Sequence, residues 1–369
     1  MNETLLTLAL TRLPGLSQTG ALALYRAAGS ATAVYERRKE PESLLPGPSP
    51  RLRKALSDWD RALERAKEEL DFAQKGDIRV LLLGQADYPS RLAECADAPL
   101  ALFVRGTARL NAPHVVTVVG TRRVTEYGKQ LCARFCEDLA GLVPDAVVVS
   151  GLAYGVDIHA HRASLGAGLE TVAVLAHGLD RIYPSLHRDT AAAMTRQGAL
   201  VTEYMSGTNP DKGNFVRRNR IVAGMADAVV VIESAARGGA LITARLALDY
   251  GRDVFAFPGR TTDPYSEGCN ALIRENGAAL ATSAADVAEA LGWHTAEARQ
   301  QPVQRELFPD LSPEEARICS LLRGTDGKDI NRLAVEADIP VHRLSVRLFE
   351  LEMKGLVKPL AGGRYLWLD

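Results

Sequence analysis

Val115-Val-Thr-Val-Val-Gly-Thr-Arg-Arg-Val-Thr-Glu-Tyr-Gly128 is the stretch on which the reading of this chain turns. Five strand-forming residues run into a glycine, and a helical stretch over 127–142 follows at once. The same alternation recurs through the middle of the chain. Apolar strands are predicted at 78–83, 115–119, 146–149, 171–175, 228–232 and 254–257, and helices at 127–142, 157–165, 187–197 and 241–250. Strands this apolar, separated by helices, imply an α/β fold with a parallel sheet covered on both faces. Ligands of such sheets bind at the carboxyl ends of the strands, beside helix N-termini.

The strand ends are accordingly where chemistry is expected. After the strands come Gly120–Gly128, Ser150-Gly-Leu-Ala-Tyr-Gly-Val-Asp157, His177-Gly-Leu-Asp-Arg-Ile-Tyr-Pro184, Arg237-Gly-Gly-Ala-Leu-Ile-Thr243 and Pro258-Gly-Arg260. Glycine lets backbone approach a ligand, and helix N-termini favour anions. A second cationic stretch is Asn214-Phe-Val-Arg-Arg-Asn-Arg-Ile-Val-Ala-Gly224, with Lys212 just ahead of it. Arginine suits multidentate contacts to phosphate, and the Phe215 ring offers a face on which a base can stack. Two other readings stay open. The stretch can be a solvated loop whose arginines pair with Glu203 or Glu233, and Phe215 can plug the core.

Composition narrows the classes. The chain has 369 residues, 47% hydrophobic and 24% charged, with a formal net charge of -1. That describes a soluble globular protein of more than one domain. A wholly basic nucleic-acid-binding surface is disfavoured, so any such site is local. No apolar run approaches the ~18 residues of a membrane span, and the N-terminus lacks the positive region of a secretion signal, so a cytoplasmic protein is expected. Cys95, Cys132, Cys136, Cys269 and Cys319 form no CxxC pair and read as reduced, mostly buried thiols.

Several chemistries are disfavoured by what is missing. There is no GxGxxG at the first unit and no GxxxxGK[ST] anywhere, which speaks against dinucleotide redox chemistry and P-loop hydrolysis. Ser150 sits in no GxSxG elbow. His159 and His161 are two apart and share no helical face, so packing or hydrogen bonding is expected rather than a metal. No cofactor, metal or catalytic residue is predicted.

Four regions are expected: a helical domain over 1–75, the α/β domain over 76–292, a Gln-rich linker over 293–310 and a small domain over 311–369. In the first, the Leu13-Pro-Gly-Leu16 turn between helices reads either as a helix-hairpin-helix, whose turn amides can hold a phosphate, or as a packing unit. A charged amphipathic helix is expected over 52–72. In the last, helices at 313–323, 330–336 and 341–354 precede strands at 357–359 and 365–368 joined through Gly362-Gly363, the plan of a winged helix. That region balances nine Lys or Arg against nine Asp or Glu. Leu344, Leu348 and Leu351 have the spacing of its own core.

Read together and in order, Val119-Gly-Thr-Arg122, Ser150-Gly-Leu-Ala153, Gly178-Leu-Asp180, Tyr183-Pro184, Glu203-Tyr204, Arg218-Asn-Arg-Ile221, Leu241-Ile-Thr-Ala244, Phe257-Pro-Gly259 and Gly268-Cys-Asn-Ala-Leu-Ile273 resemble the DNA-processing protein A family, also called Smf. The resemblance covers roughly residues 80–280. It implies an extended Rossmann-like domain that binds single-stranded DNA, protects incoming strands in natural transformation, forms homodimers and helps load RecA recombinase, without catalysis. It carries a DNA role onto Arg122, Lys212, Phe215, Arg218 and Arg220, with Gly120, Gly151 and Gly239 allowing close backbone approach. Thr121, Arg123, Tyr154, Arg217, Asn219 and Gly238 complete the candidate contacts. The sequence departs from the family at Tyr154, usually arginine, at Gly238-Gly-Ala240, usually Ser-Gly-Ser, and at Val216, usually proline. The alternative is a phosphoribohydrolase on a related fold, but Arg237-Gly-Gly-Ala-Leu-Ile-Thr243 lacks the Pro-Gly-Gly-x-Gly-Thr string and following glutamate of those enzymes. A third reading, a sequence-specific repressor, rests on the winged helix alone.

Overall fold

A computed structural model describes residues 2–293, 311–325, 327–360 and 363–368. The chain forms two compact units, 1–299 and 300–369. The first is built on a nine-stranded sheet: β1 (Arg79–Leu82), β2 (Ala101–Gly106), β3 (Val115–Val119), β4 (Val147–Ser150), β5 (Glu170–Val174), β6 (Gly198–Thr202), β7 (Ala228–Val231), β8 (Asp253–Ala256) and β9 (Ala279–Leu280). Their order is β1-β2-β6-β5-β4-β3-β7-β8-β9. From β6 to β9 every pair is parallel. Both β1–β2 and β2–β6 are antiparallel, so the sheet is mostly rather than wholly parallel.

The strand sequences account for this layering. Side chains alternate across a strand, and both sets are buried here. Val115, Val119, Val147, Val149, Val172 and Val174 pack on one face with Ile221, Val222, Ala244 and Ala247. Val116, Val118 and Val148 pack on the other with Cys132, Phe135, Cys136 and Leu139, which recur at helical spacing along Glu126–Leu142. Cys132 and Cys136 are thus packing residues, and all five cysteines are free and buried. Burial raises the Cys136 thiol to about 11.

Sequence reasoning missed β2, β6 and β9. It also gave no secondary structure to the arginine stretch, which is a helix over Lys212–Gly224. The single helix expected over 52–72 is two, Pro50–Ser57 and Asp60–Lys75, because Asp58 leaves the helical region and Trp59 turns into the core. Helices Glu3–Leu10, Gln18–Ala28 and Ala31–Glu36 share one apolar cluster with Phe103, Ala173 and Leu200 of the sheet. Glu69 accepts the Ser206 N–H at 2.9 Å, and Arg65 donates to the Ser206 carbonyl at 2.6 Å. Trp293, read as the start of a linker, packs against His114 with ring centroids 5.0 Å apart. The rest of that expected linker lies outside the described residues.

The second unit has helices Pro313–Leu322, Ile330–Ala337 and Val341–Met353. Its sheet, in the order β10-β12-β11, comprises β10 (Lys328–Asp329), β11 (Val357–Leu360) and β12 (Arg364–Trp367). This is the expected winged helix, with β10 as an unforeseen third strand. Leu344, Leu348 and Leu351 form its core with Ile318, Leu322 and Leu333. Gly363 has φ +72°, as a hairpin turn needs, while Gly362 lies outside the described residues. Among the described residues no helix is long and apolar enough to cross a membrane.

Candidate nucleic-acid interface

The chain runs β3 to β6 to one side and returns to β7 on the other flank of β3, so the direction of winding reverses between β3 and β7. A crevice opens at such a point, outside the carboxyl ends of the strands. It holds Gly120, Thr121 and Arg122 after β3, Ala153 and Asp157 after β4, and Gly238, Gly239 and Thr243 after β7. Helix Lys212–Gly224 supplies the remaining wall with Lys212, Phe215, Val216, Arg218 and Asn219. Lys212, Phe215, Val216 and Asn219 follow the i, i+3, i+4, i+7 spacing of one helical face.

Two rings and a guanidinium meet on that wall. The Arg122 guanidinium carbon lies 4.9 Å from the Phe215 centroid. Tyr183 leans on the same ring at 5.8 Å with an interplanar angle of 53°. Phe215 is half-buried and lines the crevice, so it is not a core plug. Arg122 and Lys212 are exposed. Asp211 caps the helix by accepting the Asn214 N–H at 2.7 Å.

One helix N-terminus adds positive potential. Helix Gly239–Asp249 begins at Gly238, which has no side chain to cap it, and both glycines line the crevice. Helix Val156–Gly166 differs: its first amide already donates to the Thr121 carbonyl at 3.1 Å and Asp157 stands in its first turn, so the open amides are those that begin at Gly239. First-turn amides left open in this way favour an anion.

The crevice floor carries two buried charges. Arg218 is 3% exposed and donates Nη1–H to the Val174 carbonyl. A Cβ on Gly151 would fall on this guanidinium, so Gly151 is a space for Arg218 rather than a ligand contact. Burial raises Asp157 above its ordinary carboxylate value, with Arg218 the main opposing influence. Burial likewise lowers Arg218, and Asp157 opposes it. Asp157 also accepts the Ala153 N–H at 3.3 Å. His161 is buried and hydrogen-bonded through Nδ1 to Thr171 at 2.7 Å, the packing role expected of it. His187 Nδ1 faces the Leu152 carbonyl at 2.8 Å.

Loop 121–125 is pinned from behind. Thr121 N–H donates to the Glu233 carbonyl at 2.7 Å, and the Glu233 carboxylate accepts the Thr125 N–H at 2.9 Å. Glu233 therefore fixes the loop bearing Arg122 and pairs with none of the arginines.

Of the candidate contacts, Gly120, Thr121, Arg122, Lys212, Phe215, Arg218, Asn219, Gly238 and Gly239 line one crevice. Arg123 and Arg217 are exposed outside its lining. Tyr154 is exposed on the next loop, edge-on to His187 at 5.2 Å. Arg220 is elsewhere: 9% exposed, it pairs with Glu203 and donates to the Asp97 carbonyl at 2.6 Å. The pairing with Glu203 was the plainer of the two readings open from sequence, and both partners are spent on the fold. Tyr183, Val216, Ile242 and Thr243 also line the crevice; the sequence marks them as family motif positions or, at Val216, as a departure, but not as contacts. Helical periodicity in 212–219 was the available signal for Val216.

Comparison with known proteins follows the same boundaries. Residues 79–292 match the family described as DNA recombination-mediator protein A, and residues 302–363 match the DprA winged helix domain. A putative DNA processing protein DprA of Mycobacterium tuberculosis is 36% identical over 311 residues, covering 81% of this chain and 79% of the relative. Protein Smf of Escherichia coli is 37% identical over 279 residues, 75% of this chain and 74% of the relative. DNA processing protein A of Streptococcus pneumoniae superimposes with a TM-score of 0.67 at 31% identity, covering 78% of this chain and 98% of that one. A Helicobacter pylori structure described for its single-stranded DNA binding mode gives a TM-score of 0.52 at 30% identity, covering 58% and 95%.

Proposed function

Because the chain belongs to the DNA recombination-mediator protein A family, we propose that it binds single-stranded DNA in the β3–β7 crevice and acts without catalysis. The observation that carries this is the wall on which Tyr183 and Arg122 both adjoin the Phe215 ring, with Lys212 one helical turn away. A ring takes any base by stacking, while exposed cations and the open helix end at Gly239 take the phosphates. Arg218 and Asp157 are held by each other's charge and by backbone, which supports a binding floor rather than a reacting pair. We extend the proposal to protection of incoming strands, handover to RecA recombinase and action as a cytoplasmic homodimer, on the family relationship.

Phe215→Ala tests the crevice. It is expected to lose about 1–3 kcal/mol of affinity for a single strand with little change in salt dependence. Fluorescence anisotropy with oligothymidylate, beside a thermal melt, reads both. A large drop in melting temperature with intact affinity would return Phe215 to the core.

The winged-helix unit enters this reading as a protein-binding or weak DNA element. Arg343 and Arg347 pair with Glu314, and Lys354 pairs with Glu315, so these helix cations already have partners. The chain truncated after Gly292 is expected to keep most of its single-strand affinity. A folded truncation that binds more than about thirtyfold more weakly, roughly 2 kcal/mol, would contradict this.

A further inference from the structure

The groove between helix Ala31–Glu36 and the start of helix Asp60–Lys75 carries chemistry that the crevice reading does not use. We propose that it is a second contact for the phosphates of a nucleic-acid strand, one that engages strands longer than the crevice holds. This rests on the reading that the protein's ligand is single-stranded DNA.

Tyr35, Arg38, Lys39, Arg53 and Trp59 line the groove. Arg38 lies over the Tyr35 ring at 3.8 Å from its centroid and donates Nη1–H to the Tyr35 carbonyl at 2.6 Å. Tyr35 in turn meets Trp59 edge-on at 5.0 Å. An arginine held flat in this way is pre-organised, so less side-chain freedom is lost on contact with a phosphate. Trp59 is 3% exposed, and its indole N–H donates to no acceptor among the described residues. That costly unmet donor is closed off as the groove stands, so an anionic oxygen reaches it only once a bound strand displaces the side chains that cover it. Trp59 also stands at the N-cap of a 16-residue helix that has no side-chain cap, adding the positive end of its dipole.

The charges around the groove point the same way. Lys39 is exposed. Arg53 pairs with Glu42, but the two side chains are 47% and 59% exposed, and a pair so hydrated yields readily to another anion. Asp60 is the one acid in the lining. Over residues 2–60 there are eight Lys or Arg (12, 26, 37, 38, 39, 51, 53, 54) and six Asp or Glu (3, 36, 40, 42, 58, 60), a net charge of +2, whereas the whole chain has -1. Arg38, Lys39 and Arg53 along one groove fit the regularly spaced phosphates of a nucleic-acid strand.

The test uses the full chain, with oligothymidylates of about six and about thirty nucleotides as probes, the first within and the second beyond ordinary single-strand site sizes. The Arg38→Ala, Lys39→Ala double variant should bind the long strand about tenfold more weakly. Its slope of log affinity against log salt should flatten by about 1.4, two phosphates' worth, with the short strand unaffected. Trp59→Phe keeps the ring and removes the N–H, and should lose long-strand affinity about threefold without altering the short-strand value. Thermal melts identify any variant that fails to fold, and Trp59→Phe then carries the test. If both variants melt as wild type and bind the long strand with unchanged affinity and slope, the second contact does not exist. It is equally overturned if a polyglutamate peptide, and not inorganic phosphate, competes for the component of binding lost in the variants. Wild-type protein that binds neither strand would instead remove the crevice reading itself.

Discussion

Arg220→Ala is expected to cost about 3–5 kcal/mol of folding stability, the penalty for removing one partner of a buried ion pair. Its partner Glu203 is 2% exposed and accepts a second hydrogen bond from Gln18 at 2.9 Å, so alanine would strand a carboxylate between the helical segment and the sheet. Burial already raises Glu203 above its ordinary value, and Arg220 is the largest influence holding it down. Without Arg220 the folded-state value rises further above the unfolded one. Such a group stabilises the fold below its unfolded pKa and loses that contribution as pH climbs through the folded pKa. The variant should therefore recover part of its lost stability, relative to wild type, when the pH is lowered from 7 towards about 5. Urea unfolding at both values reads this, and Arg220→Met with Glu203→Gln should restore much of the loss by removing both charges. A variant of wild-type stability with weakened DNA binding would mean that Arg220 leaves Glu203 for a phosphate.

Gly155→Ala has the next largest expected effect, on stability and binding together. Gly155 adopts φ +77° and ψ -128°, a region closed to side-chain-bearing residues. A Cβ there would lie 2.1 Å from the Thr121 carbonyl oxygen and 2.7 Å from the Arg122 Cα. The strain and overpacking together should cost about 2–5 kcal/mol. The loop that yields is the one that sets Arg122 over Phe215, so strand affinity in the folded fraction should also fall, by about tenfold. Gly141→Ala is the control: nothing lies within 4 Å of a Cβ there, and it should bind and melt as wild type. Equal behaviour of the two variants would contradict the close packing of loop 120–122 on the helix that Gly155 opens.

Much of this site was legible because the features that build it are local. Apolar strands ending in glycine located the crevice at Gly120, Gly238 and Gly239, and the ordered motifs located its far wall. What sequence reasoning lacked was the helical state of 212–224. Its arginines and Asn219 obscure the helical pattern, so the cations were weighed by number rather than by face. At about 100° per residue, Lys212, Phe215, Val216 and Asn219 share one side, whereas Arg220 lies roughly a quarter-turn away and Arg217 farther still. Arg220 then meets Glu203, and the reach from one to the other depends on β6, a strand that was itself missed. Gly151 shows the same limit. Its glycine signal was correct, but the group it admits is Arg218 of the protein, a contact spanning 67 residues that no local pattern announces. The antiparallel edge of β1 and β2 escaped for a related reason: pairing direction belongs to the sheet and not to either strand.

The central claim is that a single strand lies in the β3–β7 crevice. A map of ultraviolet crosslinks between the full chain and a short oligothymidylate tests it most directly. Crosslinked peptides should contain Phe215 and Tyr183, with further yield from the 120–122 and 238–243 loops, and Phe215→Ala should abolish the first of these. Crosslinks confined to residues 311–369, or spread over the surface and indifferent to Phe215→Ala, would contradict it.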